Sequence, residues 1–135
     1  MSTSTLGYRL SPTDGGREIA YLTDNELGPG GTYPVSGDWR ARLVRFLAGA
    51  DTLIHDAMYS DQFIQVRAGW GHSSPRQAVD LAAEAGCARL ILFHHEPEHD
   101  DDMVDALLAD ARAHARSVAP KLVVDAAQEG GGFAL

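Results

Sequence analysis

Cysteine and long apolar runs are scarce in this sequence. A single cysteine, Cys87, among 135 residues excludes an intramolecular disulfide and a cysteine-rich zinc site. No uninterrupted apolar run approaches the ~18 residues that a membrane span requires. The opening MSTSTLGYRL also lacks the apolar core of a signal peptide. These absences predict a soluble, cytoplasmic protein without a membrane partner.

Basic side chains are also few, since 11 Lys and Arg stand against 19 Asp and Glu and the formal net charge is -8. This excess of negative charge argues against a general DNA-binding surface, but it leaves open a local pocket that binds a phosphodiester. Hydrophobic residues make up 44 % of the chain, which predicts a folded protein. The length fits one domain over residues 1–135, which would bury roughly two thirds of its extended surface.

Short apolar segments that are typical of strands recur along the chain. TLGYRLS and REIAYLTD predict a hairpin, because Asp14, Gly15 and Gly16 between them favour a turn. Further strands are predicted in DTLIHDAMY, RLILF and KLVVDA. The Gly- and Pro-rich NELGPGGTYPVSG is expected to form a loop.

Three amphipathic segments alternate with these strands and predict helices. In HSSPRQAVDLAAEAG, Ser74 and Gln77 have capping-box spacing, Pro75 fits the first helical position and Gly86 ends the helix. DWRARLVRFLAG and a segment from about Asp100 to Pro120 predict the other two. Their apolar faces are expected to contain Trp39, Leu43, Phe46 and Leu47, and Met103, Leu107, Ala111, Ala115 and Val118. The alternation predicts an α/β domain with a substantially parallel sheet.

Polar residues follow the predicted strands, where α/β sheets usually bind ligands. They are Asp24, His55, Asp56, His94 and His95, and a further cluster of His72, Ser73 and Ser74 precedes the second helix. Imidazole and carboxylate groups from separate loops suit zinc or manganese. Spacing alone is weak support for a metal site, because isolated residues of these types at strand ends often act as caps or surface groups.

Three segments together resemble a known family. AYLTDNE, LIHDAMYSDQF and WGHSSPRQAVDLAAEAGCARLILFHHEPEH are similar to the C-terminal half of metallo-β-lactamase-fold hydrolases, in the branch of ribonuclease Z and cyclic-nucleotide phosphodiesterases. The resemblance implies one αβ half of a four-layer αββα fold, with a mixed sheet and helices on one face. It also implies a binuclear metal-dependent hydrolase, with small phosphodiesters or RNA as substrates.

The resemblance assigns roles to four residues. Asp24 matches the aspartate that bridges two metal ions, and His94 matches a late histidine ligand. His72 matches a histidine near the scissile phosphate, and Asp56 stands where an acidic residue orients that histidine. Accordingly, Asp24 and His94 are expected to be metal ligands, and His72 and Asp56 catalytic groups. Pro97 is expected to turn the chain away, and the acidic run after it to begin the third helix.

The sequence departs from the family in one respect that bears on activity. The early His-x-His-x-Asp-His motif and a middle histidine are absent, and no histidine precedes His55. The chain is therefore expected to be inactive alone. Truncation, a partner chain that supplies the N-terminal half, and a degenerate domain all remain open. The complete domain would hold two divalent ions, with zinc, manganese or iron as alternatives. For this chain alone, binding of no ion at all also remains open.

Plainer interpretations stand beside these assignments. Asp24 could cap a loop, and His72 could pair with a carboxylate at a helix start. His95 is expected to be structural or to support the ligands, whereas His55, His99 and His114 are expected at the surface. Arg40, Arg42 and Arg45 predict a solvated helix face, and Cys87 a small buried side chain. A non-enzymatic interaction or regulatory module that has lost metal binding is therefore the alternative function.

The apolar strands also predict how the chain associates. TLI, LIL and LVV are continuous apolar runs, which is typical of strands that are buried on both faces. With helices on one face only, the other face needs a cover. A homodimer or a partner chain is therefore expected.

Overall fold

The computed structural model describes residues 5–28 and 36–135, which form five strands and three helices. In chain order they are β1 (Gly7–Leu10), β2 (Ile19–Leu22), α1 (Trp39–Leu47), β3 (Thr52–Asp56), α2 (Pro75–Ala85), β4 (Arg89–Phe93), α3 (Asp101–Val118) and β5 (Val123–Ala126). Each predicted strand and helix is confirmed. Most of the predicted loop NELGPGGTYPVSG, residues 29–35, lies outside the described residues. No helix in the described ranges is long and apolar enough to cross a membrane.

The five strands form one sheet in sequential order, β1-β2-β3-β4-β5. The β1–β2 hairpin is antiparallel, and the other neighbours pair in parallel, with α1, α2 and α3 as crossovers. Crossovers between parallel strands are right-handed, so a sheet that grows in one direction places successive helices on the same face. The mixed sheet with helices on one face is therefore confirmed.

The helix-covered face of the sheet forms the core. Ala20, Leu53, Leu90 and Val124 lie in register across β2 to β5, and each is at most 2 % exposed. They pack in one cluster with buried side chains from all three helices. These helix residues are Leu47, Ala78, Val79, Leu81, Ala82, Ala111 and Ala115.

The start of α2 matches the prediction in detail. The Ser74 side chain accepts a hydrogen bond from the Gln77 amide, and the Gln77 side chain accepts one from the Ser74 amide. Pro75 occupies the first turn, and Gly86 ends the helix with a φ of 74°. Asp100 similarly caps α3 by accepting a hydrogen bond from the Met103 amide.

Some predicted helix faces were wrong. Met103 is 42 % exposed, because it lies about 80° around a 3.6-residue helix from the buried Ala111. Val118, the last residue of α3, is 46 % exposed. Phe46 is 37 % exposed and lies near Gly7 of β1 instead of entering the core.

The arginine face of α1 is only partly solvated. Arg40 donates two hydrogen bonds to the Glu84 carboxylate of α2, at 2.8 and 3.1 Å, and so links the two helices. Arg42 and Arg45 are exposed, as predicted.

The opposite face of the sheet is an open face. We use this name for the side that carries Tyr8, Leu10, Tyr21, Phe93 and Val123. Tyr8, Leu10 and Val123 are between 46 and 56 % exposed. The rings of Tyr21 and Phe93 meet edge to face with centroids 5.5 Å apart. The edge strands β1 and β5 thus expose apolar side chains on this face, as expected for a sheet face without a cover, whereas Ile91 of the central strand β4 is only 4 % exposed.

Candidate metal centre

Four side chains converge at the carboxyl ends of the parallel strands. Asp24, Asp56, His72 and His94 each present one possible ligand atom, and these atoms lie within 4.8 Å of one another. Because β2, β3 and β4 run in parallel, the residues at their ends meet at one edge of the sheet. His72 approaches from the segment before α2. The structure thus brings together the four residues to which the family resemblance assigns roles.

Asp56 lies at the centre of this group and is fully buried. Its Oδ2 is 2.6 Å from Nδ1 of His72 and accepts the Asn25 amide at 3.3 Å. Its Oδ1 accepts the amides of Met58 and Ser73, at 3.0 and 3.4 Å. Since an ionised carboxylate only accepts hydrogen bonds, Nδ1 of His72 carries the proton and Nε2 is the free acceptor.

His94 has an unusual backbone and an unpaired ring nitrogen. Its φ of 60° lies in the left-handed region, which residues other than glycine rarely adopt. Its Nδ1 is buried and makes no hydrogen bond in the part of the chain that the structure describes. The nearest carboxylate oxygens belong to Asp24, at 3.2 Å, and Asp56, at 3.5 Å.

The group fits a divalent metal ion. A buried polar atom without a partner requires an explanation, and an imidazole nitrogen beside two carboxylates is explained by a ligand position. Local strain of the kind seen at His94 also tends to occur at functional sites. Two imidazoles and two carboxylates are donors that zinc and manganese accept.

Three further residues support the site, and sequence reasoning did not identify their roles. Nε2 of His55 accepts a hydrogen bond from the Asn25 amide group at 3.0 Å, and its Nδ1 donates to the Asp56 carbonyl at 2.7 Å. Ser73 Oγ donates to the Asn25 carbonyl at 2.5 Å and accepts the Leu27 amide at 3.0 Å. These bonds fix the loop that carries Asp24 against the loop that carries His72.

The surface positions predicted for His55 and His99 were wrong, whereas the His114 side chain is 23 % exposed. His55 is fully buried, because strand alternation places it beside Leu53 on the helix-covered face, and burial lowers its pKa. His99 is only 11 % exposed at its side chain and lies 3.2 Å from the Glu96 carboxylate. His114 lies 2.7 Å from the Asp80 carboxylate, between α3 and α2.

His95 points away from the four-residue group. It lines a cavity of about 870 Å³ between α3 and the carboxyl end of β5, together with His99. Burial lowers the pKa of His95, and its Nε2 makes no hydrogen bond among the described residues. None of the four converging residues lines this cavity.

Comparison with known proteins identifies the family. Residues 1–95 match the family model described as the beta-lactamase superfamily domain. The chain belongs to this superfamily. Ribonuclease Z of Thermoplasma acidophilum is 37 % identical over 109 residues, covering 78 % of this chain and 31 % of the relative. The superfamily resemblance predicted from the three motifs is thus confirmed, in its ribonuclease Z-like branch.

Solved structures of superfamily members have the same fold. The short form of human tRNase Z matches 90 % of this chain and 35 % of its own, with a TM-score of 0.54 and 23 % identity. Unliganded yeast PDE1 matches 92 % of this chain and 38 % of its own, with a TM-score of 0.61 and 16 % identity. At these identities the likeness shows the fold alone. The chain spans about a third of the length of the curated relatives it matches.

Proposed function

We propose that this chain carries part of the active centre of a metal-dependent hydrolase of phosphodiesters. The observation that supports the proposal most strongly is the convergence of Asp24, Asp56, His72 and His94 at one sheet edge. The curated relatives that match it are ribonucleases Z, which makes RNA the first substrate to test.

Asp24 and His94 are the proposed metal ligands. The Asp24 carboxylate is 60 % exposed at its side chain, so it remains accessible to an ion and to further ligands. The unpaired Nδ1 of His94 faces it at 3.2 Å. When bound, divalent ions at such a centre polarise a phosphoryl group and supply hydroxide near neutral pH.

His72 is the proposed general acid, and Asp56 is the residue that positions it. The 2.6 Å contact with Asp56 holds Nδ1–H, which leaves Nε2 for the acid role. In the imidazolium form Nε2 would carry a proton and pass it to the leaving oxygen, and the ring would return to the neutral tautomer. The backbone amides around Asp56 keep its carboxylate fixed while His72 changes protonation state. This arrangement presents one imidazole edge to substrate in a defined tautomer.

We propose that the chain alone has little or no hydrolase activity. Catalytic zinc normally takes three protein ligands, and Asp24 and His94 supply two. The early histidine motif of the superfamily is absent from this sequence. The remaining ligands would come from an N-terminal αβ half, on a partner chain or a second polypeptide segment. Two divalent ions, with zinc, manganese or iron as candidates, would occupy the completed centre.

Metal titration of the purified chain tests the ligand assignment. Isothermal titration with Mn²⁺ should show binding that Asp24→Asn and His94→Ala each weaken by at least about tenfold, as loss of a ligand does. His72→Ala should leave the affinity within about threefold, because His72 is assigned to the acid role. Asp125→Asn, at the end of β5, is the matched control for loss of one carboxylate. An Mn²⁺ affinity that is unchanged in Asp24→Asn and His94→Ala would refute the assignment.

An activity assay tests the incompleteness of the centre. The metal-loaded chain should not turn over bis-p-nitrophenyl phosphate above background. Turnover that His94→Ala abolishes would refute the proposal that this chain is inactive alone. No metal binding and no turnover would instead favour the alternative function, an interaction module that has lost its metal.

A further inference from the structure

The loop between β3 and α2 displays an exposed aromatic platform beside His72. Phe63, Val66 and Trp70 are 56, 72 and 61 % exposed, although large apolar side chains in a water-facing loop gain nothing from folding. Backbone hydrogen bonds of the turn type hold the loop, among them Arg67 to Phe63 at 3.2 Å and Trp70 to Arg67 at 3.1 Å. The exposure is therefore part of an ordered surface.

Glu26 fixes the position of Trp70 from both sides. Its carboxylate accepts the amide of Gly69 at 2.7 Å and the amide of Gly71 at 3.0 Å. Both glycines have a φ near 88°, which side-chain-bearing residues rarely adopt. The chain thus uses two special backbone positions and a half-buried carboxylate to hold one exposed indole in place.

Arg67 lies over two aromatic rings and has no carboxylate partner among the described residues. Its guanidinium carbon is 4.6 Å from the Trp70 ring centroid and 5.7 Å from that of Tyr59. No carboxylate of the described residues lies within 4.0 Å of it, in a chain whose net charge is -8. Six other arginines do have such partners: Arg9, Arg17, Arg40, Arg76, Arg89 and Arg112.

This geometry leaves Arg67 suited to a phosphate. Rings that stack on a guanidinium cover its faces, whereas its five N–H donors point outward in its plane. Those in-plane donors match two oxygens of a phosphate group. Trp70 meanwhile keeps an exposed ring surface, and an indole stacks on any base.

Tyr59 connects this platform to the candidate centre. It is 5 % exposed, its ring meets the His72 ring edge to face at 5.5 Å, and Arg67 lies over it. The Tyr59 ring therefore lies between the Arg67 guanidinium and the proposed general acid, His72. A nucleotide on the platform would place the next phosphate of its strand towards His72.

We propose that Arg67 and Trp70 form a subsite for one unpaired nucleotide that neighbours the scissile phosphate. Arg67 binds a phosphate oxygen of that nucleotide and Trp70 stacks on its base. The subsite rests on the proposed function for the place of the scissile phosphate. Single-stranded RNA is the ligand, because its bases are free to stack, whereas those of a duplex are not.

Fluorescence anisotropy of two labelled probes tests the subsite on the full chain. One probe is hexa-adenylate RNA, and the other is an abasic sugar–phosphate hexamer with the same charge. Trp70→Ala should weaken RNA binding about tenfold and leave abasic binding unchanged, because stacking contributes to the RNA alone. Arg67→Gln should weaken both probes about fivefold, and Arg67→Lys should lie between, because it keeps the charge without the planar fork.

Two control variants match these changes. Arg116→Gln removes one exposed charge from α3, and Phe133→Ala removes an exposed ring near the C-terminus. Both should bind the probes as the unaltered chain does. The proposal is overturned by equal affinity of the unaltered chain for both probes, by the absence of measurable binding, or by Arg67 and Trp70 variants that match the controls.

Parallel Mn²⁺ titration separates this proposal from the proposed function. Trp70→Ala should bind Mn²⁺ as the unaltered chain does, because it touches none of the proposed ligands. RNA binding that depends on Trp70 without any metal binding would keep the subsite and refute the proposed function. Metal binding at Asp24 and His94 with RNA binding insensitive to Arg67 and Trp70 would do the reverse.

Discussion

At the residue scale, Asp56 links the fold to the site. Its carboxylate is fully buried and is satisfied by three backbone amides as well as by His72. A buried charge is costly unless it is paired in this way. The same contacts that make Asp56 tolerable in the interior also hold the loops that carry Asp24 and His72 together.

Asp56→Ala should therefore destabilise the chain by about 3 kcal/mol or more, because it leaves buried amide donors unpaired. Urea unfolding monitored by circular dichroism measures the loss. Asp24→Asn is the control, since its exposed side chain should change the free energy of unfolding by less than about 0.5 kcal/mol. Equal stability of Asp56→Ala and the unaltered chain would contradict this description of the site.

Cys87 is buried and its thiol is predicted to be unreactive. Burial, followed by the charge of Asp51, raises its pKa to about 11. At pH 8 the thiolate fraction would then be about 0.1 %, against roughly a quarter for a free cysteine. Alkylation by iodoacetamide, followed by intact mass, should be at least about a hundredfold slower in the native chain than in urea. Similar rates in both states would show that the thiol is accessible and activated.

The sequence allowed some of the site residues to be predicted and not others. Asp24, His72 and His94 follow from motif resemblance, and strand-end chemistry supports them. Asn25 and Ser73 could not be found this way, because their bonds join residues 30 and 48 positions apart. His55 was misplaced because it was taken as a polar residue that follows the strand, although β3 extends to Asp56 and a step of two from Leu53 places His55 on the core face.

At the element scale, the residue that caps the N-terminus of α2 also binds a carboxylate of the preceding loop. Ser74 caps the helix and donates its hydroxyl to the Asp61 carboxylate at 2.5 Å. Arg76 of the same helix lies 3.6 Å from Asp61 and 2.7 Å from Asp110 of α3. The start of α2 was predictable because a capping box involves residues close in sequence. The contacts with Asp61 and Asp110 join residues that are distant in sequence, so they were not predictable.

The stability contributed by the Asp61 carboxylate and that contributed by the Asp110 carboxylate should change with pH in opposite directions. Burial raises the pKa of Asp61, so the folded state binds its proton more readily than the unfolded chain. The stability contributed by this group is full below the ordinary aspartate pKa of 3.8 and is lost as pH rises through the folded pKa. Asp61→Asn, which keeps an acceptor for Ser74, should therefore unfold at a higher temperature than the unaltered chain at pH 7, but not near pH 3.

Asp110→Asn is the control of opposite sign. The Arg76 hydrogen bond lowers the pKa of Asp110, so its contribution is present above the unfolded pKa and is lost as pH falls through the folded one. This variant should be less stable than the unaltered chain at pH 7, and the difference should close at low pH. Thermal scans at both pH values measure the two differences, and shifts of the same sign would contradict the assignment.

Helix bounds were more predictable than helix orientation. The helix ends at Ser74, Gly86 and Asp100 depend on residues that are close in sequence, and the structure has these ends at the predicted positions. Which face a helix buries depends on where the sheet lies. The four-residue repeat of apolar positions in α3, extended back to Met103, therefore included a residue that lies outside the core. The position of Phe46 depends on β1, which is distant in sequence.

At the scale of the whole molecule, the open face is a part of the sheet where apolar side chains remain exposed. Tyr8, Leu10 and Val123 stand exposed on it, and the superfamily resemblance implies a second sheet against it. Covering about 500 Å² of apolar surface at roughly 25 cal/mol per Å² would contribute about 12 kcal/mol gross. That is comparable with the net stability of a domain.

We therefore predict that the isolated chain self-associates, as a two-fold dimer in the simplest case. Size-exclusion chromatography with light scattering at micromolar concentration should give a mass of at least two chains. Leu10→Lys on the open face should shift the equilibrium towards monomer, and Met103→Lys, an exposed apolar residue on α3, should not. A monodisperse monomer that unfolds cooperatively would show that the open face needs no cover.

The proposed function depends on Asp24 and His94 holding a metal ion, with His72 and Asp56 beside it. Anomalous X-ray scattering from crystals grown with Mn²⁺ tests it most directly. We expect an anomalous peak within bonding distance of an Asp24 oxygen and a His94 nitrogen, with the contact between His72 and Asp56 intact. A peak on His72 instead, or no peak between the four side chains at saturating Mn²⁺, would contradict it.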